Sequence, residues 1–239
     1  MIGANVSAFS IGKAVGRGGG GPKSWQYSGT SFDIGSQDSI PRGMAWDGTY
    51  FYVIGDSTNR IYKYNSSGVY TGNSFSVLDN TRGITFNGTY LWTVSENFLK
   101  ATQYTTSGSA TGSTFLFGSV VTQPSGLTWD GTHLWILSKN KKKAFKYTNT
   151  GTYTGDSFSV ASQDTTPEGI TWDGTYFWVV GRSSDSVHQY TSAGSYTGLS
   201  FSVRAIESNP TGITWDGSDI WITGYTTDTA YKYSLLPTP

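Results

Sequence analysis

The sequence predicts an all-β chain, a five-bladed β-propeller of four-stranded antiparallel blades whose ring is closed by an N-terminal strand that completes the C-terminal blade. Three observations carry this. A turn glycine recurs at Gly48, Gly88, Gly131, Gly174 and Gly217, at spacings of 40, 43, 43 and 43 residues, and internal periods of about 40–50 residues are the signature of propellers and related arrays. A tyrosine follows each glycine by 16 residues, at Tyr64, Tyr104, Tyr147, Tyr190 and Tyr233. The fifth copy stops before a fourth strand, and a matching strand stands at the other end, where Tyr27-Ser28-Gly29-Thr30-Ser31-Phe32 repeats Tyr70-Thr71-Gly72-Asn73-Ser74-Phe75 at Tyr, Gly, Ser and Phe. Such a strand removes the open seam of the ring.

Taken in order, residues 1–23 differ in kind from the rest. An apolar opening runs into Gly16-Arg17-Gly18-Gly19-Gly20-Gly21-Pro22, and a glycine run behaves as flexible linker. The segment carries Lys13, Arg17 and Lys23 and no acid. It reads as an anchor that presents Ile2, Val6, Phe9, Ile11 and Val15 to a larger protein assembly, with residues 24–239 forming the propeller; a disordered terminus is the plainer alternative.

One unit, Pro167 to Phe201, shows how each blade is written. Ile170-Thr171-Trp172 is a first strand and Asp173-Gly174 a two-residue hairpin signal, because both residue types tolerate positive φ. Tyr176–Val180 is apolar on both faces and therefore central. Val187–Tyr190 is a third strand, ended by Ser192-Ala193-Gly194. In the fourth, Tyr196–Val203, Phe201 and Val203 alternate with Ser200 and Ser202, the pattern of a half-solvated edge. The fourth-strand phenylalanine follows the tyrosine by 11 residues at Phe75, Phe115, Phe158 and Phe201, so the three residues lost from one copy lie between Phe75 and Gly88.

Composition narrows the function classes. Only 13% of residues are charged and the formal net charge is zero, so neither nucleic acid nor an acidic membrane surface is indicated as a partner. With no cysteine, disulfides, thiolate metal sites and cysteine nucleophiles are excluded. No apolar run of about 20 residues suggests membrane insertion. Asn5, Ser7, Ser10 and Lys13 break the opening, so no signal peptide is expected. No cofactor or metal motif appears.

Pro41-x-Gly43-x-x-x-Asp47-Gly48, Tyr52-Val53 and Asn59-Arg60-Ile61 resemble the NHL-repeat type of propeller blade, and the likeness covers Trp25 to Tyr233. Because that family usually has six blades, no family ligand is carried over. Five-bladed propellers resembling this one include sugar-binding lectins of the tachylectin kind and glycoside hydrolases. A propeller head on a short anchoring segment also looks like a bacteriophage virion protein, a tail or capsid appendage. The expectation is a non-enzymatic structural or binding module, because no catalytic constellation is found, made in the cytoplasm, because no signal peptide is expected, and placed on a virion or extracellular surface, as the resemblance to virion appendages implies. The alternatives are a lectin for a cell-surface glycan and a glycoside hydrolase.

Blade topology puts the Asp-Gly turns on one face and the second-to-third turns with the interblade connections on the other. The first face is monotonous and the second varies in every copy, as loops free to drift do and as a binding surface also does. Just before the first strands, at the channel mouth, stand Arg42, Arg82, Ser125, Glu168 and Thr211, where the charged members suit an anionic or polyhydroxyl ligand. They can equally pair with loop acids such as Asp38 and Asp164. Lys141, Lys142 and Lys143, with Lys139, form the one charge run, either a solvated tip or a contact for an acidic glycan. The aromatics at Trp46, Phe86, Trp129, Trp172 and Trp215, and at Tyr52, Trp92, Trp135, Trp178 and Trp221, are read as interblade core rather than sugar platforms. His133 and His188 fall at different registers. No acid occupies the ring position of Glu168 in another blade, so no catalytic residue is assigned.

Overall fold

The structure, a computed structural model, describes residues 23–237. The five anchor candidates therefore lie outside the described residues. The fold is an all-β, five-bladed propeller, and within those residues every element is a strand. Four of the blades are meanders of consecutive strands; in the fourth, Pro167–Trp172, Tyr176–Gly181, Ser186–Thr191 and Tyr196–Ser202 lie in chain order. The first and third strands begin before the side-chain alternation announces them, because ladder pairing depends on the backbone. The fourth ends one residue early: Val203 leaves the strand to be buried in the interblade connection, where its N–H donates to the Asp185 carbonyl at 2.8 Å.

The ring closes as the sequence predicts. Lys23–Asp33 pairs with Thr229–Pro237, from Lys23 opposite Pro237 to Asp33 opposite Thr229. The blades meet through aromatic contacts of one kind. A Cβ added at Gly68, Gly108, Gly151 or Gly194 would stand within 2.4 Å of Phe32, Phe75, Phe115 or Phe158 in the preceding blade, so each third-to-fourth turn lies flat on a neighbour's ring. At the seam that turn is absent, and Trp25 covers Phe201 instead, stacked at 5.7 Å between ring centroids.

The Asp-Gly turns do more than reverse the chain. Asp130, Asp173 and Asp216 each accept two backbone N–H groups of their own turn through Oδ1. Through Oδ2 each accepts the indole N–H of Trp135, Trp178 or Trp221 at 2.7 Å. Asp47 receives the Tyr52 hydroxyl in the same way, at 2.8 Å. Blade two carries Asn87, whose single carbonyl oxygen is used by the turn, and Trp92 Nε1 is buried without a partner. An unpaired buried donor costs about 1–3 kcal/mol. Asn87→Asp is therefore expected to stabilise the protein by about 1 kcal/mol, read as a higher urea midpoint; an unchanged or lower midpoint at neutral pH would contradict the account.

Towards the axis, the first strands crowd together at Gly43, Gly83, Gly126, Gly169 and Gly212. The space they enclose is about 10 Å³, enough for one water at most. This waist separates a chamber of about 110 Å³ on the turn face, where Thr85, Thr128, Thr171 and Thr214 stand, from the mouth on the opposite face. A ligand at the mouth therefore enters and leaves by the same side.

Candidate functional site

The mouth widens into a basin of about 510 Å³ built by blades one to four. Four parts of the chain supply it for one reason: residues at the start of each first strand, which begins earlier than the sequence suggests, and residues in each second-to-third turn come to the same face. Arg42, Arg82, Ser125 and Glu168 come from the first group, and Glu96, Lys139, Asn140, Lys142 and Arg182 from the second. Gln123, Thr165 and Thr166 add connection residues.

Its charges form two unlike halves. On blades one and two, Asp56 bridges Arg42 at 3.0 Å and Arg82 at 2.7 Å, and Glu96 takes Arg82 Nε at 3.0 Å. Two cations there meet two acids. On blades three and four, Glu168 alone faces Lys139, with which it forms a close ion pair, and Arg182, whose Nε lies 3.4 Å away. Lys142 adds a further cation to that half. Glu168 is buried, at 6% exposure, whereas the Lys139 and Arg182 side chains keep about a third of their surface open. Two polar atoms of the lining have no hydrogen-bond partner: Arg182 Nε, misaligned for its carboxylate, and Ser125 Oγ at the floor.

Arg42, Arg82 and Glu168 thus stand together at the mouth. Their partners are Asp56, Glu96, Lys139 and Arg182, not the loop acids expected from the sequence. Asp38 and Asp164 are buried, at 3% and 2% exposure, and Glu207 likewise. Each caps the second-to-third turn of its own blade: Asp38 accepts from Thr58 N and Oγ1, Asp164 from Ser184 N and Oγ, and Glu207 from Thr227 Oγ1. A glycine makes room for each, since a Cβ at Gly55, Gly181 or Gly224 would lie within 2.3 Å of the acid. In the remaining blades that glycine is Ser95 or Ser138, whose hydroxyl bonds the connection carbonyl directly. Of the lysine run, only Lys139 and Lys142 reach the basin. Lys141 Nζ bonds the Val120 carbonyl at 2.6 Å, and Lys143 opens the strand Lys143–Tyr147 as an exposed residue.

Ser184, His188 and Asp164 resemble a hydrolytic triad by composition but not by arrangement. Ser184 Oγ donates to Asp164 at 2.6 Å and lies 3.1 Å from His188 Nε2, while His188 Nδ1 is buried without a partner, so no acid orients the imidazole. Burial pushes the histidine pKa down, against a smaller opposing pull from Asp164. The same place in blade one holds Asp38, Thr58 and Tyr62, linked by the same bonds. It is a structural cap, away from the basin.

Arg182 and Glu96, with Asp56 as the partner of both arginines, are not singled out by the sequence reading, which names Lys139 only within the lysine run. A signal was present: all four stand in the varying second-to-third turns, within three residues of the end of a second strand. What was not visible is that each side chain turns towards the axis rather than outwards.

These features define a five-bladed propeller with a polar, charge-rich basin at one channel mouth. No protein-family model matches the chain and no curated protein is similar to it in sequence. Solved structures share its fold. Glutaminyl cyclase from Myxococcus xanthus superposes at a TM-score of 0.70 with 11% identity, over 92% of this chain and 100% of that one. A catalytically inactive His→Ala variant of virginiamycin B lyase from Staphylococcus aureus, with quinupristin, gives 0.53 and 22% over 84% and 68%. A streptogramin B lyase gives 0.52 and 19%, over 83% of this chain and 66% of that chain. At such identities the likeness is one of fold. The expectation of a non-enzymatic module is nonetheless corrected, because proteins that share the propeller fold include enzymes and the fold gives no ground for excluding catalysis. None of these three is a lectin or a phage protein.

Proposed function

We propose that this chain is an anchored recognition head whose ligand seats in the channel-mouth basin. The observation that carries this is the half formed by blades three and four, where Lys139, Lys142 and Arg182 outnumber Glu168, the one acid of the lining there. Charge-assisted bonds from such groups are about twice as strong as neutral ones. Arg182→Ala and Lys139→Ala are expected to lower capture on an array of acidic and neutral glycans by about tenfold each, consistent with loss of one charged hydrogen bond. Array binding that both variants leave intact would remove the basin as the site.

The anchor reading has a geometric support. Lys23 pairs with Pro237 on the Asp-Gly turn face, opposite the basin, so a tether joined at Lys23 leaves the basin facing outwards. The assembly proposed is a virion or other extracellular surface. Removing residues 1–22 is expected to leave unfolding and glycan capture unchanged while abolishing incorporation into that assembly. Normal incorporation of the shortened chain would overturn the anchor.

A second reading makes the same basin an active site. It is favoured by the enzymes that share the fold and by Glu168, a carboxylate buried beside two cations and available as an acid or base. Release of product from a captured oligosaccharide, lost in Glu168→Gln with capture retained, would establish it; retained turnover in that variant would remove Glu168 from the role.

A further inference from the structure

The unequal halves of the basin specify more than charge. We infer that its ligand is a sugar acid, a polyhydroxyl ring carrying a carboxylate, oriented with the carboxylate on blades three and four and the hydroxyls on blades one and two. This rests on the reading of the basin as the ligand site. Three cations, Lys139, Lys142 and Arg182, against one acid, Glu168, leave a surplus of two, and it lies only on blades three and four. A planar guanidinium and an ammonium on either side of one carboxylate leave donors for a second.

Blades one and two offer the opposite chemistry. Arg42 and Arg82 are matched by Asp56 and Glu96, so this half is neutral but dense in both donors and acceptors. Hydroxyl groups, which donate and accept at once, satisfy such a surface; a second anionic group would meet Asp56 and Glu96 and be repelled. Gln123, on the connection from blade two to blade three, lies between the halves with an amide donor and acceptor, whereas the Asn140 amide is bonded to Ser138 and Thr122. A phosphodiester chain, with an anion at every residue, matches one half and conflicts with the other.

The test uses the full chain in calorimetric titration with the monosaccharides galacturonate, guluronate and glucuronate, each carrying a single carboxylate. Their methyl esters, inorganic phosphate and a single-stranded DNA oligonucleotide serve as comparisons. At least one acid is expected to bind saturably, and its methyl ester about tenfold more weakly, as for loss of one charged hydrogen bond. Arg182→Ala and Lys139→Ala should lower acid binding by about tenfold while leaving ester binding within about twofold, and Glu96→Gln should lower both by a similar factor, because it removes an acceptor for hydroxyls. Circular dichroism of each variant checks that it folds, and a Lys139→Arg variant that keeps the charge should retain most of the affinity.

Equal binding of acid and ester, tighter binding of phosphate or DNA, or no binding of any of the three acids would overturn the sugar-acid inference. These failures are distinguishable from failure of the site itself. If a neutral sugar binds and basin variants still weaken it, the basin remains the site and only the acid is wrong. If a ligand binds and no basin variant affects it, the site is elsewhere.

Discussion

Gly212→Ala is expected to abolish the native ring or to lower its stability by at least about 3 kcal/mol, the upper end for overpacking a rigid interior. A Cβ there would stand 2.3 Å from the Arg42 carbonyl oxygen and 2.6 Å from Thr223 Oγ1. Neither can yield cheaply. The carbonyl is backbone of the neighbouring blade and accepts the Thr223 hydroxyl at 2.7 Å, while Thr211 Oγ1 bonds the Pro41 carbonyl beside it at 2.8 Å. Moving Arg42 also disturbs the basin, so surviving protein should lose ligand capture. The comparison variant is Gly174→Ala, where φ is +97° but nothing lies within 4 Å of the new Cβ. That change costs backbone strain of about 1–2 kcal/mol. Urea unfolding of the two separates crowding from strain, and an equal or smaller loss at Gly212 would show that the blades do not approach as closely as described.

Trp25→Ala is expected to cost about 3 kcal/mol, the lower end for truncating a large aromatic because Trp25 is half-buried. Its ring stacks on Phe201 and lies 5.3 Å and 6.2 Å from Trp178 and Trp215 in edge-on contact. It stands where other blades place the turn glycine, so its loss uncovers Phe201 and loosens the one strand pair that joins distant ends of the chain. Hydrogen exchange should rise first along Lys23–Asp33 and Thr229–Pro237, the seam, before the other blades respond. Uniform loss of protection in all five blades would argue that the seam is no weaker than the rest and that Trp25 is ordinary core.

Much of the fold is legible because the repeat states the same local instruction five times. An Asp-Gly pair requires a tight turn, and alternation in Phe201-Ser202-Val203 marks an outer strand. The matching of Tyr27–Phe32 to Tyr70–Phe75 foretells closure, since only a fourth strand fits that pattern. Of the repeated aromatics read as core, Tyr52, Trp92, Trp135, Trp178 and Trp221 are buried between blades, whereas Trp46, Phe86, Trp129, Trp172 and Trp215 are half-buried and also line the chamber on the turn face. Asp38 and Asp164 show the limit. Acids in polar connections look solvated, and only the structure shows Gly55 and Gly181 vacating the space that buries them. Catalysis was excluded from the sequence on the lack of paired motifs, and the fold shared with a cyclase and lyases removes that exclusion.

By itself the sequence determined the number of blades, the register of their turns, the closing strand and the face on which variation falls, because these depend on local backbone preference and on a period that survives in every copy. Tertiary structure alone decided which charges meet. Arg82 and Asp56 are 26 residues apart, Lys139 and Glu168 are 29, and no local rule joins them. Their meeting follows from ring geometry, which brings the beginnings of first strands and the ends of second strands from separate blades to one mouth. The excess of cations on one half, on which the proposed ligand chemistry depends, exists only once those blades are set side by side.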